Sequence, residues 1–138
     1  MMLDRLQRTY PLEGCGLLGG QNGRITTHYA IDNVLQSLVA YEMDPKQQLQ
    51  AMLDIEARGL DLLAIYHSHP QGPEQPSLTD IAQAYYPETI QLIISLRDRN
   101  KPVLRGFTIR GGQVSEVSLQ IEAVLEIGEK VSDENKRQ

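Results

Sequence analysis

Leu62-Leu63-Ala64-Ile65-Tyr66-His67-Ser68-His69-Pro70 is the stretch on which the reading of this chain turns. Its five leading apolar residues form an unbroken run of strand length, the pattern of a strand buried on both faces. Residues i and i+2 of a strand share a face, so His67 and His69 are expected to point into one space. A loop carrying Pro70, Gly72, Pro73 and Pro76 then turns the chain back to Ser77-Leu78-Thr79-Asp80. There Asp80 could add a carboxylate oxygen to the two imidazoles. Two nitrogens and one oxygen with a fourth position left open form the ligand set of a catalytic zinc centre, whereas structural sites are usually closed by four protein ligands.

Ser77-x-x-Asp80 also fits a capping box, with Pro76 ahead of it and Ile81-Ala82-Gln83-Ala84 continuing a helix. Both readings hold together, because a cap fixes a carboxylate at the first turn of a helix, where it can be aimed.

His67-Ser68-His69-Pro70, the spacer Gln71 to Pro76, Ser77 and Asp80 together resemble the H-[S/T]-H-P-x6-S-x2-D signature of the JAMM (MPN+) metalloprotease family. Upstream, Pro11-Leu12-Glu13-Gly14-Cys15-Gly16-Leu17-Leu18-Gly19-Gly20 is similar to the P-x-E-x-C-G-L-L-x-G segment of its bacterial members. The resemblance covers residues 10 to 118, and it implies an α/β (α+β) fold of the cytidine-deaminase-like JAB1/MPN type, a single mixed sheet flanked by helices. It further implies one zinc ion held by His67, His69 and Asp80 with a water as fourth ligand, Glu13 as general base, and Ser77 supporting the oxygen of the tetrahedral intermediate. From its neighbours alone Glu13 reads as a surface carboxylate before a Gly-rich turn; only the family pattern gives it a role. The implied substrate is an amide or isopeptide beside the C-terminal Gly-Gly of a ubiquitin-like β-grasp protein, in bacteria a sulfur carrier. Two other readings stand beside this one. One is a catalytically silent MPN scaffold that binds partners, since fold does not fix function. The other is a two-histidine, one-carboxylate Fe(II) oxygenase, which would leave Glu13 and the Pro-rich loop unexplained.

Two departures from the family bear on the fold. Most members carry a strand ahead of the glutamate, for which the twelve residues before Glu13 leave little room, so an open sheet edge or a homodimer is expected. Nothing resembling a long insertion follows Asp80, which favours the compact bacterial type over a dedicated deubiquitinase.

At 138 residues the chain suits one domain that buries roughly two-thirds of its unfolded surface without a disulfide or structural metal. Residues 1–131 are read as that domain and 132–138 as a polar, frayed tail. Cys15, the single cysteine, excludes an internal disulfide and reads as a small buried residue. With no apolar run near 18 residues and no signal-like start, a cytoplasmic protein is expected, with no membrane partner. A net charge of −5 argues against nucleic-acid binding. Arg97, Arg99, Lys101, Arg105 and Arg110 nevertheless cluster, as a solvated hairpin surface or a docking patch for an acidic partner.

The expected elements are a helix over 2–9, strands over 16–20 and 24–31 joined at Gln21-Asn22-Gly23, and a short strand over 38–43. Asp44 as N-cap and Pro45 at the first position begin a helix that ends near Arg58-Gly59 and buries Leu49, Met52, Leu53 and Ile55. After the histidine strand come a capped helix from Ser77, a strand over 90–96, and a hairpin of 103–109 with 113–121 around Gly111-Gly112. His28 is expected to be an exposed strand residue rather than a ligand.

Overall fold

The computed structural model describes residues 2–120. Their elements run α1 (Met2–Thr9), β1 (Cys15–Gln21), β2 (Arg24–Ile31), α2 (Pro45–Ala57), β3 (Asp61–His69), α3 (Leu78–Ala82), β4 (Ile90–Ser95), β5 (Val103–Arg110) and β6 (Gln113–Val117). The six strands form one mixed sheet in the order β2-β1-β3-β4-β5-β6. Only β3 and β4 are parallel.

Two short turns make the hairpins. Asn22 (φ +54°) and Gly23 (φ +76°) link β1 to β2, and Gly111 (φ +55°) and Gly112 (φ +83°) link β5 to β6. Positive φ at both central positions gives the turn twist that matches paired strands, and Asn-Gly and Gly-Gly tolerate it.

β3 lies at the centre of the sheet and is buried from Ala64 through His69. One face of the sheet packs Leu18, Ala64, Tyr66, Leu92 and Ile94 with Leu6 of α1. The other packs Cys15, Leu17, Ile31 and Ile65 with Met43 and with Ala51 of α2. Both faces of β3 are thus covered, Ala64 and Tyr66 on the α1 side and Ile65 on the α2 side, which is why its run is continuous rather than alternating.

Several expectations need correction. The segment 38–43 is not a strand: only Met43 makes a bridge, to Asn33, and Leu38 and Val39 are exposed. The loop is folded instead around the Asn33 side chain, whose bonds take the place of a ladder. In α2 the buried stripe is Ala51 and Ile55, with Met52 half-buried, while Leu49 and Leu53 face solvent. Ala51 and Ile55 lie one turn apart on the buried side, so Leu49 and Leu53, each two positions from Ala51 and on the other side of the helix, face outward. α3 stops after Ala82, and β6 ends at Val117. His28 is half-buried, its Nε2 2.6 Å from the Tyr66 hydroxyl. Residue 121 and the tail 132–138 lie outside the described residues.

Of the basic cluster, Arg105 pairs with Glu116, Arg110 with Glu88, and Arg99 lies 4.1 Å from the centre of the Tyr10 ring. Three of its five charges therefore have partners within the fold.

Candidate metal centre

His67 and His69 end the central strand, and Ser77 and Asp80 begin α3. Strand pleating puts both imidazoles on the α2 side of the sheet, the side of Ile65. The helix cap brings the carboxylate to them. Ser77 Oγ accepts from the Asp80 backbone N–H at 3.0 Å, and Asp80 Oδ2 accepts from the Ser77 N–H at 2.8 Å. The capping reading and the ligand reading are therefore realised by one pair of residues.

The three ligand atoms form a nearly equilateral triangle. His67 Nε2 lies 3.1 Å from His69 Nε2, and Asp80 Oδ2 lies 3.1 Å and 3.0 Å from the two nitrogens. Ligands about 2.0–2.1 Å from a tetrahedral zinc are about 3.3–3.4 Å apart, so the triangle is close to one face of that tetrahedron. Both imidazoles are buried and the Asp80 side chain is 12% exposed.

Proton bookkeeping tests whether these residues suit a metal. His69 Nδ1 lies 2.8 Å from the Pro73 carbonyl, which can only accept, so Nδ1 carries the hydrogen. In the neutral ring Nε2 then presents a lone pair toward the Asp80 carboxylate and the second imidazole. The contact of His69 Nε2 with Asp80 Oδ2 then sets two lone pairs against each other, which a proton or a cation between them relieves. Metal-binding histidines commonly anchor their outer nitrogen on a carbonyl in this way. His67 is oriented differently: its Nδ1 has no hydrogen-bond partner among the described residues, and its ring stacks on Tyr41 with centroids 4.4 Å apart.

The electrostatics agree. Burial pushes Asp80 upward, but hydrogen bonds from His67 and His69 outweigh it and hold the carboxyl well below the usual carboxylate range. Burial lowers His67. His69 is also penalised by burial, yet its bonds to Asp80 and the Pro73 carbonyl raise it. An ionised carboxylate thus faces two imidazole nitrogens.

Glu13 lies next to this group. Residues Cys15 and His67 pair across β1 and β3. Gly14 continues the register, its N–H donating to Ser68 Oγ and its carbonyl accepting from the Ser68 N–H, both at 2.9 Å. Glu13 precedes Gly14 in the chain, and its carboxyl is within electrostatic reach of His69 and Asp80. Glu13 is 5% exposed and its Oε1 has no hydrogen-bond partner among the described residues. Burial pushes its carboxyl up to about 7; His69 opposes that rise and Asp80 adds to it. The expectation from neighbours alone, a surface carboxylate, is overturned.

Glu13, His67, His69, Ser77 and Asp80 therefore converge, while His28 stays on the α1 side with Tyr66. Sequence reasoning did not single out Tyr41, the Pro73 carbonyl or Ser68 as supports of this group. Of these only Ser68 carried a local signal, since a hydroxyl between two same-face residues must point to the opposite face.

The family of prokaryotic homologues of the JAB domain matches residues 1–109. The CysO-cysteine peptidase of Mycobacterium tuberculosis is 31% identical over 122 residues, 87% of this chain and 84% of that protein. The desampylase of Haloferax volcanii is 33% identical over 115 residues, covering 81% and 80%. The solution structure of a protein from Desulfitobacterium hafniense superposes with a TM-score of 0.79 at 36% identity, over 92% of this chain and 90% of that one. A motif, a matching sheet and relatives that share most of their length agree: the chain belongs to the prokaryotic JAB-domain family.

Proposed function

We propose that this protein is a zinc-dependent peptidase that cleaves the amide bond following the C-terminal Gly-Gly of a ubiquitin-like or sulfur-carrier protein. The observation that supports it most is the Nε2/Nε2/Oδ2 triangle with the buried Glu13 carboxyl beside it, whose Oε1 has no hydrogen-bond partner among the described residues. Peptidases and desampylases among the relatives supply the reaction class.

His67, His69 and Asp80 would hold the ion, which when bound acts as a Lewis acid and makes a water acidic near neutral pH. Glu13 accepts the proton that the attacking water loses as its oxygen adds to the carbonyl carbon. The same carboxyl then delivers that proton to the departing amine as the C–N bond breaks. Ser77 Oγ already accepts from the Asp80 N–H, so its own hydrogen is free to donate to the developing oxyanion. An extended Gly-Gly tail suits the task, since without side chains its carbonyl can come close to a recessed site. The buried free thiol of Cys15, the only cysteine, fits a cytoplasmic enzyme.

The test is incubation with the host's own β-grasp sulfur carriers, each extended by a short peptide beyond Gly-Gly and followed by intact mass. Release of a Gly-Gly terminus that stops with chelator and returns with zinc is expected. Glu13→Gln should keep one zinc per chain and lose turnover. Cleavage insensitive to chelator would overturn the reading.

A further inference from the structure

The loop 32–44 between β2 and α2 is organised by one side chain, that of Asn33. Its Nδ2 donates to the carbonyls of Glu13 and Ala40, both at 3.0 Å. Its Oδ1 accepts from the N–H groups of Leu35 and Glu42, also at 3.0 Å. Two donors and two acceptors are the full capacity of a side-chain amide, and two carbonyls facing two N–H groups fix which end is which. Aspartate has the shape but cannot donate, and glutamine is one methylene too long.

The same loop reaches the metal centre in two more places. The Ser37 carbonyl accepts from the Glu13 N–H at 2.8 Å, so Glu13 is gripped by both its backbone N–H and its backbone carbonyl. Tyr41 lies against the His67 ring. Glu13 stands outside the strand proper, one residue beyond the Gly14–Ser68 bonds, and this loop replaces a ladder there.

We infer that Asn33 is a positioning residue for the Glu13 carboxylate, tying the loop 32–44 to the backbone of the proton-transferring residue. The inference rests on the assignment of Glu13 as general base. It acts through geometry: a carboxyl that must meet a water and then a leaving nitrogen loses rate steeply with small displacements.

Asn33→Asp tests it, since the acceptor side of the clamp survives while both donations are lost. With the extended sulfur carrier as substrate, kcat should fall at least tenfold, with KM within about twofold and one zinc per chain retained. In the metal-free protein, hydrogen-exchange protection of the Glu13 amide should fall in parallel, a readout independent of turnover. Asn33→Ala, which adds no charge, has the same expectation and serves if the aspartate variant does not fold. In the wild-type protein the amides of Glu13, Leu35 and Glu42 should exchange as one cooperative unit. Unchanged kcat, a fall in kcat with Glu13 protection intact, or independent exchange of those amides would each overturn the clamp. Retained turnover in Glu13→Gln would instead remove the base assignment while leaving the measured clamp intact.

Discussion

Glu13 is the residue whose chemistry depends most on its surroundings. A carboxyl with an ordinary value of 4.5 is raised to about 7 here, chiefly because the fold removes it from water. The consequence for stability has a definite sign. Between pH 4.5 and about 7 the unfolded carboxyl has lost its proton while the folded one keeps it, so stability falls as pH rises through that window and levels off above it. Metal-free wild-type protein should therefore lose stability relative to Glu13→Gln across this range, measured by parallel denaturant melts. A difference that stays flat with pH would show that Glu13 is not desolvated. Loading with zinc brings positive charge near the same carboxyl, which favours its ionised form, so the acid limb of kcat/KM is expected below pH 7.

Among the elements, β1 is the one most constrained by its neighbours. A Cβ on Gly16 would come within 2.4 Å of the Tyr29 carbonyl oxygen and of the Tyr66 hydroxyl. Tyr66 crosses Gly16 to reach His28, so the absent side chain makes room for a half-buried hydrogen bond. Overpacking a tight core typically costs about 1–3 kcal/mol, and here the obstacle includes backbone, which favours the upper end. Gly16→Ala should lower the urea midpoint by a corresponding amount with the m-value unchanged. A neutral result would mean that β1 and β2 separate more freely than their register suggests. α3 makes the complementary point: five residues long, it matters less as a helix than as the frame that presents Asp80 through its cap.

For the whole molecule, the candidate site joins separated pieces of chain: the proposed ligands come from the end of β3 and the start of α3, and Glu13 from the segment before β1. Zinc that binds only the folded arrangement should stabilise it, by about 2.7 kcal/mol at a hundredfold excess over Kd. For a chain of this size that corresponds to a rise in Tm of roughly 5–10 °C. Asp80→Ala should abolish the rise in a thermal melt; an equal rise in that variant would exclude Asp80 as a ligand. Among the described residues no helix is long and apolar enough to cross a membrane. What could be read directly from the sequence was local: the β3 run, the i, i+2 histidines, the Asp44-Pro45 helix start, both positive-φ turns and the Ser77–Asp80 cap. Each depends on periodicity or on bonds within a few residues. The reading failed at 38–43 and for Leu49 and Leu53 of α2, where apolar residues suggested burial that the packing does not provide. Leu38, Val39, Leu49 and Leu53 face water because Asn33 organises the loop and the side of Ala51 and Ile55 is the one that α2 buries. Glu13 shows the same divide. Its burial and its shifted titration come from tertiary packing beside residues more than fifty positions away, which no local pattern encodes.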